Sequence, residues 1–475
     1  MAPIHLTLLH SNDLHGRVGQ VAKIGALVNR IRHEVEAAGG YCLYFDAGDC
    51  EDSILLESAL TQGSAMDAIL RAAGCDQVAL GNAIPFRYGI QAIEGLALSF
   101  GKPILCANMH WKDGSIPAGL VPSVILDIAG MQLAVIGFTD DRMDAYSVFN
   151  VDVVPPETLL PGLIESAKTD GAEIILLLSH LGQKRDIKLA ATVDGINLII
   201  GGHSHDRIDP PLVVNRTIIT QAGQYGEVLG RLDLEIDAES GTILSHSSQL
   251  IPVEGSIPDD ERVLSAIERE KQRARAIMEI PVGILERDME YLEGEECRAG
   301  NLLADALLAH FPGAQVSFVM GLHWEEGLKA GNLTKGELFS VNRSTGNPGR
   351  IRVSGRQLEQ FFMKALQPES IIQKPTQMRG RMNGMPHVAG MRVVAHGAPP
   401  QAVDIMIDSR KIDPDEIITA VVSDYEISEI LDYLPMADKE VEYDIPTILP
   451  DVLEEYLRRH TPLRDVPGNR ITFTN

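Results

Sequence analysis

Short apolar runs alternate with helical periodicity over residues 1–255. The seven strand-like runs are His5–Leu9, Tyr41–Phe45, Gln77–Leu80, Ile104–Cys106, Leu133–Phe138, Ile174–Leu178 and Ile196–Ile200. Most of them lack the apolar–polar alternation of a strand with one face in water, which is typical of strands covered on both faces. Between the first two runs, Ile24, Leu27, Val28 and Ile31 share one face of an amphipathic helix. This order of strand, helix and strand predicts an α/β architecture.

A chain of 475 residues is too long for one ordinary hydrophobic core, so we expect two domains. Residues 256–260, Ser-Ile-Pro-Asp-Asp, are typical of a turn and a helix start, and residues 261–278 are highly charged with apolar positions at helical intervals. Later apolar runs indicate a second domain: Val316–Met320, Ile351–Val353 and Ile417–Val422. The predicted organisation is a first domain at 1–255, a linker helix at 256–280 and a second α/β domain at 281–475.

The composition narrows the class of partner. Apolar residues make up 45% of the chain and charged residues 23%, which is ordinary for a globular protein. The formal net charge of −25 argues against a nucleic-acid polymer or an anionic membrane as the main partner. An acidic protein that handles a phosphate group must reverse its local field, and bound divalent cations do so effectively.

The N-terminal sequence and the cysteine pattern predict the cellular compartment of the protein. The N-terminus MAPIHLTLLHSNDLHG has no basic stretch followed by an apolar run and a small-residue cleavage site, so we expect no signal peptide. No run of about 18 uninterrupted apolar residues is present to span a bilayer. The five cysteines are scattered and have no CxxC spacing, which argues against a disulfide framework. These features predict a cytoplasmic, reduced protein.

Polar side chains follow five of the predicted strands, at the point where each strand ends. In α/β sheets this carboxyl edge carries the ligand-binding loops. The five segments are Ser11-Asn12-Asp13-Leu14-His15-Gly16, Asp46-Ala47-Gly48-Asp49, Leu80-Gly81-Asn82, Ser179-His180 and Gly201-Gly202-His203-Ser204-His205. Because they recur at the same edge, we expect their side chains to meet.

The residue types in these segments are those that bind transition metals. Asp13 and His15 are two positions apart, so on an extended segment both side chains point to the same side. Carboxylates, imidazoles and an amide oxygen together suit Mn, Fe or Zn better than Ca or Mg. Asp49 is the expected bridge, since a carboxylate can serve two ions roughly 3.5–4 Å apart. The expected ligands are Asp13, His15 and His205 for one ion, and Asn82, His180 and His203 for the other.

Each motif taken alone has a plainer explanation. An Asp-x-His pair is common, the segment 201–205 is compatible with a polar loop, and His180 alone is typical of a structural histidine. The joint occurrence decides between these alternatives, because five short motifs in one order each follow a predicted strand. A purely structural α/β protein would leave seven costly polar groups converging without an ion.

The order DxH, GD, GN, H and GHxH resembles the signature of calcineurin-like metallophosphoesterases. The NDLHG form of the first motif and TQAGQYGEVLGRLDL at 220–234 are similar to the 5′-nucleotidase branch. In the C-terminal half, CRAGNLLADAL (297–307) and PHVAGMRV (386–393) resemble the substrate domain of that branch. The resemblance implies an N-terminal α/β/β/α sandwich with two divalent metal ions and a C-terminal α/β substrate-binding domain. The ending of the chain is most similar to signal-less cytoplasmic bacterial members.

The chain departs from this family at the third motif. The family sequence Gly-Asn-His-Glu is replaced by Gly81-Asn82-Ala83-Ile84, and the missing histidine is the one that protonates or stabilises the leaving oxygen. Ala83 can do neither, and a positioned acid or base typically contributes about 10²–10⁴-fold in rate. The candidates to replace it are Arg87, a permanent planar donor, and His110, which follows another strand. A solvated arginine and a surface histidine are the alternatives.

The second half departs as well. Family members stack the nucleobase between two aromatic rings and hold phosphate with arginines. One ring is lost where Ser-Thr-Gly-Asn at 344–347 replaces Pro-Phe-x-Asn, and Met-Gly-Leu-His-Trp at 320–324 replaces an Asn-Gly-Gly stretch. Arg298 and Asn301 match the family pattern, and Tyr425 is the candidate for the second ring, although the Gly-Gly-Asp that follows it in the family is absent. These three are the expected substrate-binding residues, with a helix cap as the alternative role for Arg298.

Two functions are compatible with these residues. The first is hydrolysis of a small-molecule phosphoester, of a nucleotide or nucleotide-sugar type, at a reduced rate or with a good leaving group. The second is a metal-loaded binding or regulatory protein derived from a nucleotidase. Ala83 separates the two, since it removes a proton donor and leaves the expected metal ligands in place.

Overall fold

The computed structural model describes residues 3–51, 55–142, 146–374, 382–430 and 441–474. The chain divides into two compact units, with the boundary between Ala274 and Arg275. This boundary lies inside a helix, Glu261–Met278, which covers the charged stretch that the sequence predicted to be helical. All five cysteines are buried and unpaired. Within the described residues, every helix is too short or too polar to cross a membrane.

The first unit contains fifteen described strands and the helices that cover them. The strands are β1 (Ile4–Ser11), β2 (Tyr41–Asp46), β3 (Gln77–Val78), β4 (Ile104–Leu105), β5 (Met109–Trp111), β6 (Leu120–Val121), β7 (Ser123–Ile128), β8 (Met131–Phe138), β9 (Val151–Val153), β10 (Ala172–Ser179), β11 (Leu198–Gly201), β12 (Arg207–Val214), β13 (Thr217–Ala222), β14 (Val228–Ile236) and β15 (Ile243–Pro252). The helices are α1 (Val18–Ala37), α2 (Leu56–Leu60), α3 (Ser64–Ala72), α4 (Ala83–Tyr88), α5 (Ala92–Phe100), α6 (Pro156–Thr169), α7 (Gln183–Thr192) and α8 (Glu261–Met278), which spans the boundary.

Two sheets share one core in this unit. The first has the order β15-β14-β1-β2-β3, and the second has the order β12-β13-β11-β10-β8-β7. Leu8 and Leu232 of the first sheet lie in one buried cluster with Leu176 and Leu198 of the second. The central strands β8, β10, β11 and β13 run parallel, so their carboxyl ends meet at one edge.

Helices cover the outer faces of both sheets. On β10, Leu176 points into the shared core, whereas its neighbours Ile175 and Leu177 pack with Leu160 of α6 and Leu189 of α7. Successive residues of a strand point to opposite faces, so a fully apolar run is what a strand with two covered faces requires. On the other side, α1 packs against β2. The predicted α/β/β/α sandwich is confirmed.

The second unit is also built from strands and helices. Its strands are β16 (Pro281–Leu285), β17 (Val316–Met320), β18 (Gly331–Thr334), β19 (Pro348–Ser354), β20 (Pro386–Ala389), β21 (Arg392–His396), β22 (Ala402–Ile407), β23 (Arg410–Lys411), β24 (Ile417–Ser423), β25 (Val441–Tyr443) and β26 (Ile471–Thr474). Its helices are α9 (Arg298–His310), α10 (Lys335–Val341), α11 (Gly355–Ala365), α12 (Pro368–Ile372), α13 (Asp424–Ile430) and α14 (Leu449–Arg459).

A five-stranded sheet of order β20-β17-β24-β19-β25 organises this unit. Phe318 of β17 packs with Phe362 of α11 on one face of the sheet. The next residue, Val319, packs with Leu302 of α9 and Leu453 of α14 on the other face. Helices therefore cover both faces, as the predicted α/β class requires.

The predicted strands differ from the observed strands mainly at their ends. Leu133–Phe138 was predicted where β8 begins at Met131, and Gln77–Leu80 was predicted where β3 ends at Val78. The backbone N–H of Leu80 donates to the carbonyl of Leu105 at 3.0 Å, so the chain has left the ladder with β2 by this point. An apolar run in the sequence does not by itself predict which strand its residues pair with.

Leu176→Ala tests the core that the two sheets share. Leu176 is fully buried, so its truncation leaves a cavity between the sheets, and we expect the free energy of unfolding of the first unit to fall by about 3 kcal/mol. Urea unfolding followed by circular dichroism measures this change. Leu98→Ala is the control, since Leu98 is 75% exposed and should stay within about 0.5 kcal/mol of the wild type. Equal unfolding free energies for the two variants would contradict the shared core.

Candidate metal centre

The first two predicted segments are joined through their backbones. The N–H of Asp13 donates to the carbonyl of Gly48 at 2.9 Å, and the N–H of His15 donates to the carbonyl of Asp49 at 3.1 Å. This pairing continues the parallel register of β1 and β2, in which Ser11 lies opposite Asp46. The two loops that follow these strands are therefore held in contact.

Side chains bring the other three segments to the same point. The N–H of His203 donates to Asp13 Oδ2 at 2.8 Å, and the N–H of Ala83 donates to Asp49 Oδ1 at 2.9 Å. His180 Nδ1 lies 2.7 Å from the carbonyl of Ala47. All five segments that the sequence placed at one edge thus converge there.

Five of the seven predicted ligands have a left-handed backbone. Their φ angles are 51° at Asp13, 44° at His15, 56° at Asp49, 73° at His203 and 58° at His205. This region is unfavourable for residues with a side chain, and it persists only where the surrounding structure imposes it. Strain concentrated in predicted ligands is typical of a functional site.

Asp13, His15 and His205 form the first donor cluster. Asp13 Oδ1 lies 3.2 Å from His205 Nε2 and 3.7 Å from His15 Nε2, and the two imidazole nitrogens are 3.4 Å apart. Asp13 is fully buried, whereas the side chain of His205 is 36% exposed. The cluster therefore reaches from the interior to the surface.

Asp13, Asp49 and His180 form a second, fully buried cluster that shares Asp13 with the first. Their donor atoms lie within 4.8 Å of one another, and Asp49 Oδ2 is 3.3 Å from His180 Nε2. The His203 ring packs against the His180 ring with centroids 5.2 Å apart. Because Asp13 belongs to both clusters, the two sets of donors are adjacent.

Three buried atoms of the predicted metal ligands have no hydrogen-bond partner among the described residues: Asp13 Oδ1, Asn82 Oδ1 and His180 Nε2. Buried polar atoms without partners cost free energy and are rare in folded proteins. These three atoms belong to predicted ligands and lie where a cation would satisfy them. The donor set, which combines carboxylates, imidazoles and an amide oxygen, fits transition-metal ions.

Buried charge shifts the pKa values of Asp49 and His180 in opposite directions. Burial would raise the pKa of Asp49, but the charge of His180 and a hydrogen bond from the Ala83 N–H outweigh it and hold this pKa at about 2. Burial would lower the pKa of His180, but the Asp49 carboxylate raises it to about 10. A proton on His180 therefore balances Asp49 in the metal-free protein, and metal ligation by His180 would release it.

Residues behind the ligands fix their orientation. Asn12 Nδ2 donates to Asp13 Oδ2 at 2.7 Å and to the carbonyl of Gly223 at 2.6 Å. The contact between His180 Nδ1 and the Ala47 carbonyl places the proton on Nδ1 and leaves Nε2 as the ligand atom. Such partners are the usual supports of metal-binding side chains.

Glycine is required at two points of closest approach. A Cβ at Gly81 would lie 2.0 Å from Asp49 Oδ1, and a Cβ at Gly202 would lie 2.9 Å from the carbonyl of Ala47. No side chain fits at the first of these distances. The glycines of the GN and GGHSH motifs therefore permit the loops to pack together.

The predicted catalytic residues Asn82, Arg87 and His110 lie on two different elements of the first unit. Asn82 is the N-cap of α4, and Ala83 begins this helix directly beside Asp49. Arg87 lies in the last turn of α4, with its Nε buried and without a hydrogen-bond partner among the described residues. His110 lies on β5, opposite Asp152 of β9. The catalytic roles of Arg87 and His110 stay predictions.

Tyr225 is a site residue that the sequence did not single out. Its ring centroid lies 5.8 Å from that of His15 and 6.4 Å from that of His205, and its N–H donates to the carbonyl of Asp13 at 2.8 Å. The guanidinium carbon of Arg17 lies 4.6 Å from the centre of this ring. The stretch at 220–234 contained the signal, but as a family resemblance without a role for its tyrosine.

A second group near the centre was also missed. Burial and the charge of His180 lower the pKa of His203, and the charge of Asp140 opposes this shift. Tyr146 stacks on Phe86 of α4 with ring centroids 4.5 Å apart. Arg142 lies 5.4 Å above the Phe86 ring and pairs with Asp140 at 2.5 Å. Asp140 follows the end of β8, so the rule that found His180 after β10 would have found it.

The three predicted substrate-binding residues lie in the second unit and contact their own chain. Arg298 pairs with Glu290 at 2.9 Å and with Asp465 at 3.3 Å. Asn301 is fully buried, and its Nδ2 donates to Glu296 at 2.8 Å. The hydroxyl of Tyr425, which is 8% exposed, donates to Asn383 Oδ1 at 3.1 Å. Their roles toward a substrate stay predictions.

Comparison with known proteins gives relatives of one kind. Residues 277–439 match the 5′-nucleotidase C-terminal domain family. The chain is 27% identical to the uncharacterized metallophosphoesterase YunD of Bacillus subtilis (strain 168), over 82% of this chain and 84% of that protein. It is 26% identical to the trifunctional nucleotide phosphoesterase protein YfkN of the same organism, over 76% of this chain. The chain spans only 27% of the length of YfkN.

A solved structure has the same fold. The 5′-nucleotidase precursor from Thermus thermophilus matches over 99% of this chain and 100% of that chain, with a TM-score of 0.55 and 20% identity. At this identity the similarity establishes the fold alone. It confirms the predicted arrangement of an N-terminal metallophosphoesterase domain and a second domain.

The relatives are metal-dependent hydrolases, so the prediction of an enzyme of this class is confirmed at the level of the family. The family itself was predicted from five metal motifs in the first half and two stretches in the second. That prediction is also confirmed: residues 277–439 belong to the 5′-nucleotidase C-terminal domain family, and the relatives of the chain are two-domain 5′-nucleotidases and metallophosphoesterases.

Proposed function

We propose that the first unit hydrolyses small-molecule phosphoesters, of a nucleotide or nucleotide-sugar type, at two divalent metal ions. The observation that carries this proposal is the pair of adjacent donor clusters that share Asp13, with three buried donor atoms unpartnered among the described residues. Membership in a family of metal-dependent hydrolases supports it.

The seven predicted ligands divide between the two ions. Asp13, His15 and His205 would hold one ion, Asn82, His180 and His203 would hold the other, and Asp49 would contact both. Mn, Fe or Zn suits this set. When bound, the ions supply electrophilic stabilisation of the phosphoryl oxygens and activation of the attacking water.

The remaining chemistry belongs to side chains of this chain. Asp49 is held in place by the Ala83 N–H, and His180 is oriented by the Ala47 carbonyl. His205 is the exposed ligand and Asp13 is buried, so the substrate approaches from the side of His205. On this side the Arg17 guanidinium packs over Tyr225 and offers a positive charge to a phosphate in an otherwise acidic protein.

Position 83 restricts the substrates. Ala83 occupies the place beside Asp49 from which a histidine would reach the leaving oxygen, and it has no proton to donate. Esters whose leaving group departs without protonation are therefore favoured. Arg87 and His110 remain the proposed sources of charge stabilisation or of a proton for other esters.

The same alanine supports the second candidate, a metal-loaded binding or regulatory protein. In that case the loops, the strain and the ligands would be retained for binding, and the proton donor would be lost without replacement. The two functions differ in turnover, not in metal content.

Asp49→Asn tests the role of Asp49 as the carboxylate that would contact both ions. The substitution keeps the size of the side chain and removes the charge between the two ions. We expect turnover of p-nitrophenyl phosphate and bis-p-nitrophenyl phosphate by the Mn²⁺-loaded protein to fall by at least about 100-fold, since ligand loss costs more than loss of a supporting residue. A chelator should abolish wild-type turnover, and Mn²⁺ should restore it.

Asp170→Asn is the matched control, because Asp170 is exposed at the end of α6 and its substitution should leave turnover unchanged. AMP and UDP-glucose complete the substrate panel. A wild-type protein that holds two ions by elemental analysis and turns over none of the four esters would contradict the hydrolase and support the binding protein.

Ala83→His tests the missing proton donor. Because the backbone N–H of residue 83 donates a hydrogen bond to Asp49, the side chain of a histidine at this position would start next to the expected bridging carboxylate. We expect kcat for AMP to rise at least about tenfold, since a positioned general acid typically contributes about 10²–10⁴-fold. The gain for p-nitrophenyl phosphate should be smaller, since its leaving group needs no proton.

Ala38→His, at an exposed position after α1, should change neither rate. Equal gains for both esters would argue against a proton-donor role.

Arg298→Ala tests the proposed substrate contact of the second unit. If the guanidinium binds the substrate, its loss should raise KM by about tenfold, or about 1.4 kcal/mol, with kcat little changed. Arg287→Ala is the matched control, because Arg287 pairs with the same Asp465 carboxylate at 2.9 Å and is 53% exposed. A similar KM change in both variants would assign the effect to Asp465 instead.

A further inference from the structure

A buried group of one cysteine and two carboxylates lies outside the predicted ligand set. The Sγ of Cys50 and one carboxylate oxygen each of Glu51 and Asp67 lie within 4.8 Å of one another. The exposed fractions of these residues are 0%, 6% and 0%. None of the three belongs to the two donor clusters around Asp13.

Two different elements bring these side chains together. Cys50 and Glu51 directly follow Asp49, and the carbonyl of Cys50 accepts a hydrogen bond from the N–H of Gly16 at 2.9 Å. Asp67 lies in the first turn of α3. A Cβ at Gly63, the N-cap of α3, would lie 3.0 Å from Glu51 Cγ, so the stem of this glutamate is closely packed. The packing holds the three donors in place.

The carboxylate of Asp67 is the independent indication of a ligand. Both of its oxygens are buried and have no hydrogen-bond partner among the described residues. Two buried carboxyl groups side by side need either a proton or a cation between them.

A proton shared by Glu51 and Asp67 is the simplest alternative. Such a proton would join one oxygen of each carboxyl group, with the Cys50 thiol hydrogen-bonded to Glu51, and would leave the second buried oxygen of Asp67 without a partner. A cation would contact all three donors at once. The convergence of the sulfur atom with both carboxylates therefore favours a cation.

We propose that Cys50, Glu51 and Asp67 bind one divalent cation of the borderline class, such as Zn²⁺ or Co²⁺. Thiolate sulfur selects these ions over Mg²⁺ and Ca²⁺, and three protein ligands are sufficient for a zinc site with one further position. The site goes beyond the proposed hydrolysis and shares no ligand with it. Its position directly after Asp49 means that a bound ion would hold the loop that carries the expected metal bridge.

Titration of chelator-treated protein with Co²⁺ tests this site. Since the seven ligands of the proposed phosphoesterase centre contain only nitrogen and oxygen donors, a thiolate-to-cobalt charge-transfer band in the ultraviolet reports a cysteine ligand. We expect the wild type to develop this band, and we expect it to saturate by three equivalents per chain, since the proposed phosphoesterase centre takes up two of them. Cys50→Ser should lose the band and bind one Co²⁺ fewer per chain, whereas Cys106→Ser, which changes another buried cysteine, should retain both.

Asp67→Asn extends the test to a carboxylate ligand, and it keeps the test valid if Cys50→Ser does not fold. We expect the Co²⁺ concentration at the midpoint of the band to rise at least about tenfold in this variant. A wild type without the band would overturn the proposal in favour of the shared proton. A band that persists in Cys50→Ser would overturn it in favour of another cysteine. Loss of phosphoesterase turnover with the band intact would instead count against the proposed hydrolysis.

Discussion

The structure of the first unit depends on the burial of Asp13, Asp49 and His180 next to one another. Each comes from a different loop, and none can be removed from water without a compensating charge. In the metal-free protein, the ion pair between Asp49 and His180 supplies part of that compensation. It leaves Asp13 Oδ1 and Asn82 Oδ1 without hydrogen-bond partners among the described residues. Divalent cations would satisfy the same atoms and would also reverse the local field for a phosphate.

The sandwich provides the rigidity that this burial requires. Left-handed backbone at five ligands is unfavourable, and it is sustained because the loops are bonded to each other and to the strands behind them. The N–H of Asp13 donates a hydrogen bond to the carbonyl of Gly48, and the side chain of Asn12 donates hydrogen bonds to Asp13 and to the carbonyl of Gly223. Gly81 lies too close to Asp49 for any side chain to fit.

In the second unit, a stretch that was expected to bind substrate has a structural role. Asn301, in the stretch that resembles the family substrate domain, donates to Glu296, and Glu296 also accepts from the backbone of Arg470 and Ile471. The same stretch thus fastens the C-terminal strand β26 to the start of α9. These hydrogen bonds give Asn301 and Glu296 a structural role in the second unit. The recurrence of the motif in sequence therefore does not by itself identify a substrate contact.

The amino-acid sequence determined the class of the fold, most of the strands and helices, and the seven candidate ligands. It could do so because periodicity reports which faces are covered, and because parallel strands place their carboxyl-end loops at one edge. Tertiary structure alone decided which residues stand beside those ligands. Tyr225 comes to the centre from a separate segment, and Asp67 meets Cys50 and Glu51 from a helix. Side chains that are brought together by packing leave no spacing in the sequence, so their chemistry becomes visible only when the chain is folded.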